Sequence, residues 1–491
     1  MRLIIFWVAV VCGFIALTTS GVFGQYHLSD TGLPAQPIPA SGCVGVGAGS
    51  GFFQLDEKAS CCAPFPKPKS LRHGEEIARP PADSARVAES ITSQDEIDAK
   101  VYAALLAPTS VDFDNTTLRS ALNQFKAKLK ANLVIDERAL LDDGIKLDEQ
   151  HVTLRLDDIP ATIAIDEVLK PFHLSGSVRD GYYVITTQTE SDESRASEVF
   201  EVSDLCAVEY QDGSSGFDAT GLLSVIQQTT SGPWMNSEGG RLNQIEFGDQ
   251  LILSFEAPDY LLAEVTVVLS RLRRAREGTI ELPIDKRWSP RAKFAVNAVR
   301  LRERASSQLR GALKKEITVA FDDKPLQEVK DELALELGHP ILIDEVALHD
   351  DGIDAMAEVN ADLREIAIES ILQVALEQLN LVIRNEGHFL RITTPTTNFD
   401  FPETAVYPVG DLAAELRAGE PITLDFDRVA LLLRPIGRPW LSLDGRGGSM
   451  IPFGTGDLAA LVIRCDQQTH AKVAALLHRI RTLRLRDASA K

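Results

Sequence analysis

The sequence predicts an α+β fold, a tandem duplicated array of small two-layer α/β-sandwich units. Three observations carry that expectation. The stretch Leu133-Val134-Ile135-Asp136-Glu137, followed by Ala139-Leu140-Leu141-Asp142-Asp143-Gly144-Ile145, recurs as Ile341-Leu342-Ile343-Asp344-Glu345 and Ala347-Leu348-His349-Asp350-Asp351-Gly352-Ile353, 208 positions on and without a gap. Short alternating runs, suited to half-buried strands, lie between stretches with apolar residues every three or four positions, suited to helices. Finally, 491 residues with 44% apolar content are too many for one core but enough for several.

The first 24 residues read as a signal peptide. Arg2 supplies the charge, Leu3 to Leu17 the apolar run, and Thr18 to Gly24 the small residues that precede cleavage. An uncleaved anchor is the alternative. No later segment is long and apolar enough to span a bilayer. Residues 25–93 read as a flexible tether, with glycines from Gly45 to Gly51 and the prolines of Pro64 to Pro68 and Pro80-Pro81. The Cys61-Cys62 pair falls within it and reads as two exposed thiols or a local crosslink. The cysteines left after cleavage, Cys43, Cys61, Cys62, Cys206 and Cys465, form neither a disulfide framework nor a zinc set.

The first unit is expected over 94–190 and its copy over 302–396. Each opens with a helix, through Ile97, Val101, Ala104 and Leu105 or through Ala305, Leu309, Ala312 and Leu313. A half-buried strand follows (Val111 to Asp114; Val319 to Asp322), then an amphipathic helix (Leu118, Leu122, Phe125; Leu326, Val329, Leu333). The strand around Ile135 or Ile343 enters the core. A further strand, Val152 to Leu156, has a shorter, more polar counterpart at Val359 to Leu363. Ile159 and Ile366 are assigned to the next helix. A hairpin closes the unit, turning at Arg179-Asp180-Gly181 or Glu386-Gly387. A second unit, with order βαββα, follows over 196–277 and again over 403–486. Both copies carry a Pro-Trp pair (Pro233-Trp234, Pro439-Trp440) and a Gly-Gly pair. Residues 278–301 read as a linker.

These residues carry a resemblance. Phe113-Asp114/Leu118, Leu133 to Asp136, Val152 to Leu156 and Ile185-Thr186-Thr187 resemble the secretin and TonB amino-terminal short domain. Phe321-Asp322/Leu326, Ile341 to Asp344 and Ile392-Thr393-Thr394 do so again. Val202 to Leu205, Pro233-Trp234 and Leu251 to Phe255 resemble the KH-like ring-building domains that follow it in secretins. Together these cover about three quarters of the chain. The resemblance implies an exported protein of the periplasm or cell envelope. It does not extend to the pore-forming region of secretins, so no pore is expected.

The charge sum is −21, from 50 basic and 71 acidic residues, which repels nucleic acid and anionic lipid over most of the surface. Candidate sites each have a structural reading beside the functional one. Asp136, Glu137, Asp142 and Asp143, with Asp344, Glu345, Asp350 and Asp351, lack the spacing of a calcium loop and read as short solvated helices ended by Gly144 and Gly352. His470 and His478 share a helix without a third ligand. Arg271, Arg273, Arg274 and Arg276, like Arg479, Arg481, Arg484 and Arg486, either offset a helix C-terminal dipole or bind an anionic envelope polymer. Trp234 and Trp440 plug small cores or offer a ligand platform.

No catalytic, cofactor-binding or metal-ligating residue is expected. The function expected is that of a non-enzymatic scaffold or adaptor. It would bind other envelope proteins, or itself, through sheet edges and helix faces. A soluble receptor for an envelope glycan or small ligand is the alternative.

Overall fold

The computed structural model describes residues 82–489, apart from 211, 233, 235–239, 416–422, 437–447 and 457. The leader, residues 25–81 of the expected tether, Cys43, the Cys61-Cys62 pair and Trp440 lie outside the described residues. Residues 82–93, expected in the tether, are helical. Among the described residues no helix is long and apolar enough to cross a membrane.

Four small units follow one another. The first holds α1 (Ala82–Leu106), β1 (Pro108–Thr117), α2 (Leu118–Lys128), β2 (Asn132–Ile135), α3 (Glu137–Asp142), β3 (His151–Pro160), α4 (Ala161–Leu169), β4 (Leu174–Arg179), β5 (Tyr182–Thr187) and α5 (Gln188–Glu193). The second holds β6 (Ala196–Glu201), α6 (Ser203–Cys206), β7 (Ala207–Glu209), β8 (Ser215–Phe217), α7 (Thr220–Thr229), β9 (Arg241–Phe247), β10 (Gln250–Ala257) and α8 (Asp259–Glu277). The third repeats the first with α9 (Pro290–Ala312), β11 (Glu316–Pro325), α10 (Leu326–Leu337), β12 (Ile341–Ile343), α11 (Glu345–Asp350), β13 (Glu358–Ala367), α12 (Ile368–Glu377), β14 (Val382–Asn385), β15 (Leu390–Thr393) and α13 (Pro395–Phe399). The fourth repeats the second with β16 (Glu403–Pro408), α14 (Gly410–Ala413), β17 (Ala414–Glu415), β18 (Thr423–Leu424), α15 (Phe426–Leu433), β19 (Ser449–Thr455), β20 (Leu458–Cys465) and α16 (Gln467–Ser489). This is an α+β protein of small units.

The duplication extends to irregularities. In the first unit β1 pairs antiparallel with β3, while β2, β5 and β4 form a second sheet with β2 parallel to β5. The third unit repeats both sheets. The β1–β3 ladder shifts register between Phe113 and Thr116, and the β11–β13 ladder between Phe321 and Lys324. At each shift one residue is left-handed, Asn115 (φ 44°) or Asp323 (φ 46°), types that tolerate this region. The backbone N–H of each donates to a side chain of the opposite strand, Thr153 or Asn360. Bulges persist where they re-aim a strand, so their recurrence marks one blueprint used twice.

Local chemistry explains the elements. Thr117 caps α2 by accepting from the Ser120 N–H, and Leu118, Leu122 and Phe125 form its buried stripe. Phe125 meets Phe113 edge to face at 5.9 Å. The β4–β5 hairpin turns through Asp180 (φ 49°) and Gly181 (φ 85°), and the Gly181 N–H donates to Asp98 of α1 at 2.7 Å.

Four expectations need correcting. Ile159 and Ile366 end strands β3 and β13 rather than opening helices, because each pairs in the ladder, with Thr109 and Ile317. The strand through Val359 to Leu363 is as long as its counterpart, ten residues each, since backbone pairing with β11 holds its polar positions too. The second unit carries an unexpected β7–β8 hairpin. The stretch 278–301 is not a linker in the flexible sense. Leu282, Trp288, Ala292 and Val296 pack into the core of the second unit, and α9 runs unbroken from Pro290 into the third. Ser289 caps α9 and Pro290 occupies its first turn, so the helix starts early.

Candidate interaction surface

The chain buries one of its own sheets twice over. Strand β20 is the centre of the sheet β16–β20–β19, and its residues are buried on both faces. The inner face carries Leu461 and Ile463, which pack under α14, α15 and α16. The outer face carries Ile451, Phe453, Ala460 and Val462, which belong to the core of the second unit instead. Helix α7 lies across that outer face, with Gly221 beside the Phe453 ring. The last carbonyls of a helix lack partners within it. Here the fourth unit supplies them. Ser449 Oγ donates to Gln228 O at 2.8 Å, Thr404 Oγ1 to Thr229 O at 2.7 Å, and Arg464 Nη1 to Thr230 O at 3.0 Å. Arg464 Nη2 also donates to Ser231 Oγ, whose hydroxyl donates to Glu264 of α8.

The same stacking recurs between the first and third units. Phe389 of the third unit is a member of the first unit's core, and Leu342 packs against it. Arg391 of β15 reaches back to Glu167 of α4, with both side chains largely buried. Around it Glu386 is hemmed by Arg384, Arg302 and Arg391. Burial alone would push its pKa up, but these cations hold it below the ordinary range. The outer sheet faces of one copy thus seat on the helical faces of the other, head to tail.

Among the described residues, the counterparts at the two ends of this stack are bare. In the sheet β6–β10–β9, Val199 is 56% exposed, Ile245 42% and Phe247 60%. Val199 holds the place of Val406, and Ile245 that of Phe453, which is only 2% exposed. On the far end, α15 shows Leu431 and Leu432, at 62% and 48% exposure. Leu432 holds the place of Val225 in α7, which is fully buried under the fourth unit's sheet. Leu431 stands where α7 has Ser224.

A cavity of about 580 Å³ lies where the stacked units meet, lined among others by Tyr102, Asp166, Tyr183, Arg271, Arg302 and Glu403. The Asp166 side chain is open to the cavity and surrounded by protein beyond it. Burial, with Glu167 adjacent, raises its pKa to about 7, against a hydrogen bond from Thr162. Arg271 donates to the Thr404 carbonyl. Burial lowers its pKa, opposed by Glu303 and Glu403.

Several of the candidates among the described residues hold structural roles. Asp136 and Asp344 cap α3 and α11 by accepting from Ala139 N and Ala347 N. Glu137 pairs with Arg119 at 2.8 Å. Among the described residues no group of acidic, His and Cys side chains could hold a metal ion. His470 hydrogen-bonds through both ring nitrogens, to Tyr407 and to the Glu403 carbonyl, and burial lowers its pKa. Arg273 and Arg276 clamp Asp204, as Arg481 clamps Asp411, while Arg274 pairs with Glu303. These pairings leave the proposed polymer site without those arginines. Trp234 is 7% exposed, donates Nε1–H to Thr230 Oγ1 at 2.8 Å and packs on Phe255, so it plugs its core and offers no platform. The stacking surface was missed from sequence. Its signal was the run Leu458 to Ile463, apolar throughout where β10 has Gln250 and Ser254, as a strand covered on both faces must be.

No described protein family matches the chain. No curated protein matches it. Among solved structures, a chain described as "Structure of XcpQN012" is 16% identical, with a TM-score of 0.13. The match covers 34% of this chain and 65% of that one, just under two thirds of its length.

Proposed function

We propose that this chain is a non-enzymatic, exported protein of the cell envelope that works as a scaffold or adaptor through its outer sheet and helix faces. One observation carries the reading. Faces buried in the joint between the two copies stand uncovered at the ends, and uncovered apolar faces rimmed by polar residues mark interaction sites. The reactive groups fit a structural role. Burial pushes the Cys206 thiol up to about 12, far from the thiolate a nucleophile needs. Export rests on the leader-like start and on the secretin resemblance. Photo-crosslinking from position 245 in intact cells, with position 453 as the buried control, tests the reading. Protein adducts at 245 alone are expected. Absence of adducts at 245 overturns it.

The cavity favours a second reading, a receptor for a small polar ligand, with Asp166 and Arg271 as its polar contacts. A thermal-shift screen of small polar compounds that finds one ligand, lost in Asp166→Asn, supports it. A flat screen removes it.

A further inference from the structure

We infer that a second copy of this chain docks head to tail, its β6–β10–β9 face seated on the α15–α16 face of the first. The new joint repeats the one inside each chain. The inference rests on the scaffold reading and names its partner.

The internal joint says what covers each bare face. Val406, Phe453 and Val462 are covered by α7 and α8. The bare sheet offers Val199, Ile245 and Ser254 at the same positions. Helices α15 and α16 are the second copies of α7 and α8. They present Leu431 and Leu432 where α7 presents Ser224 and Val225.

Charge at the ends is exchanged in a matched way. Inside the chain, the helix face contributes Glu264 and the sheet face Arg464, linked through Ser231. At the ends, the helix position is Lys472 and the sheet position Glu256. Both signs are reversed, so attraction is kept. Glu256 stands 3.6 Å from Arg241 on the same exposed face, and Arg241 occupies the position of the carbonyl donor Ser449. The first and third units show the same matched exchange. The internal Glu167–Arg391 pair corresponds to Val374, 40% exposed, on the helix side and to Val184 on the sheet side. An ion pair inside becomes an apolar pair outside. Neither exchange is needed if these faces meet only water.

Such a contact is heterologous, each subunit offering one face and using the other, so it extends beyond a dimer into a ring or filament. Sedimentation velocity of the purified full-length chain, across a concentration series, tests it. Species larger than a dimer are expected. Glu256→Lys alone and Lys472→Glu alone each place like charges across the joint and weaken association about tenfold. An equimolar mixture of the two variants restores it, because each bad face then meets a matching one. Lys472 is exposed and the Glu256 side chain is half-exposed, and circular dichroism confirms that the variants fold. A monomer at every concentration overturns the inference, as does a dimer that grows no further or association indifferent to both reversals. Cellular adducts at position 245 made only of other proteins would also overturn it and leave the scaffold reading standing.

Discussion

Two sheets of one design meet different fates in this chain. The second unit's sheet, β6–β10–β9, is covered on one face. The fourth unit's sheet, β16–β20–β19, is covered on both. Val199 and Val406 are the same residue at the same position, one mostly exposed and one packed on a neighbouring core. The difference teaches that burial here belongs to the neighbour, not to the unit. The two sheets also differ in sequence there, with Phe453 and Val462 where the uncovered sheet has Ile245 and Ser254.

The comparison can be broken at its largest contact. Phe453→Ala removes a ring that is 2% exposed and is expected to cost about 3–5 kcal/mol, whereas Ile245→Ala costs under about 1 kcal/mol. Urea unfolding followed by fluorescence measures both. Equal effects would mean that the joint does not form. Next comes the buried pair. Glu167→Ala removes the nearest partner of Arg391, leaving Glu386 and the more distant Asp344, and should cost about 2 kcal/mol, while Val374→Ala at the bare counterpart costs under about 0.5 kcal/mol.

A smaller effect reads the cavity between the stacked units. The folded Asp166 carboxyl titrates near 7, above its unfolded value near 4. Below about pH 4 both states are protonated. Between about pH 4 and 7 only the unfolded state is ionised, so stability contributed by the neutral carboxyl falls as pH rises and levels off above 7. Thermal midpoints should show this decline, and Asp166→Asn should flatten it. A decline unchanged in Asp166→Asn would place the titration elsewhere. The smallest effect expected is at the bare faces, where Val199→Ser leaves unfolding midpoints unchanged within about 0.5 kcal/mol and lowers association alone.

Much of each unit was legible because period and turn chemistry are local. The Leu118, Leu122, Phe125 stripe and the Asp180-Gly181 turn need no distant partner to declare themselves. The acidic clusters were legible for the same reason, Asp136 and Asp344 being helix caps by position. The errors had distant causes. Ile159 and Ile366 obey a helical spacing, but a ladder to β1 and β11 claims them. Trp288 looked like part of a linker because the core it enters lies more than thirty residues upstream, at Phe200 and its neighbours.

The sequence by itself determined the doubled blueprint, the units and the side of each strand that faces its own core, since alternation and helical stripes are read over a few residues. Only the tertiary structure decided which outer faces are buried. That depends on carbonyls at the end of α7 meeting Thr404, Ser449 and Arg464 from more than 170 residues away. No local pattern encodes such a meeting, because each side would read the same in water: a capped helix end, a polar strand edge and an apolar stripe awaiting cover.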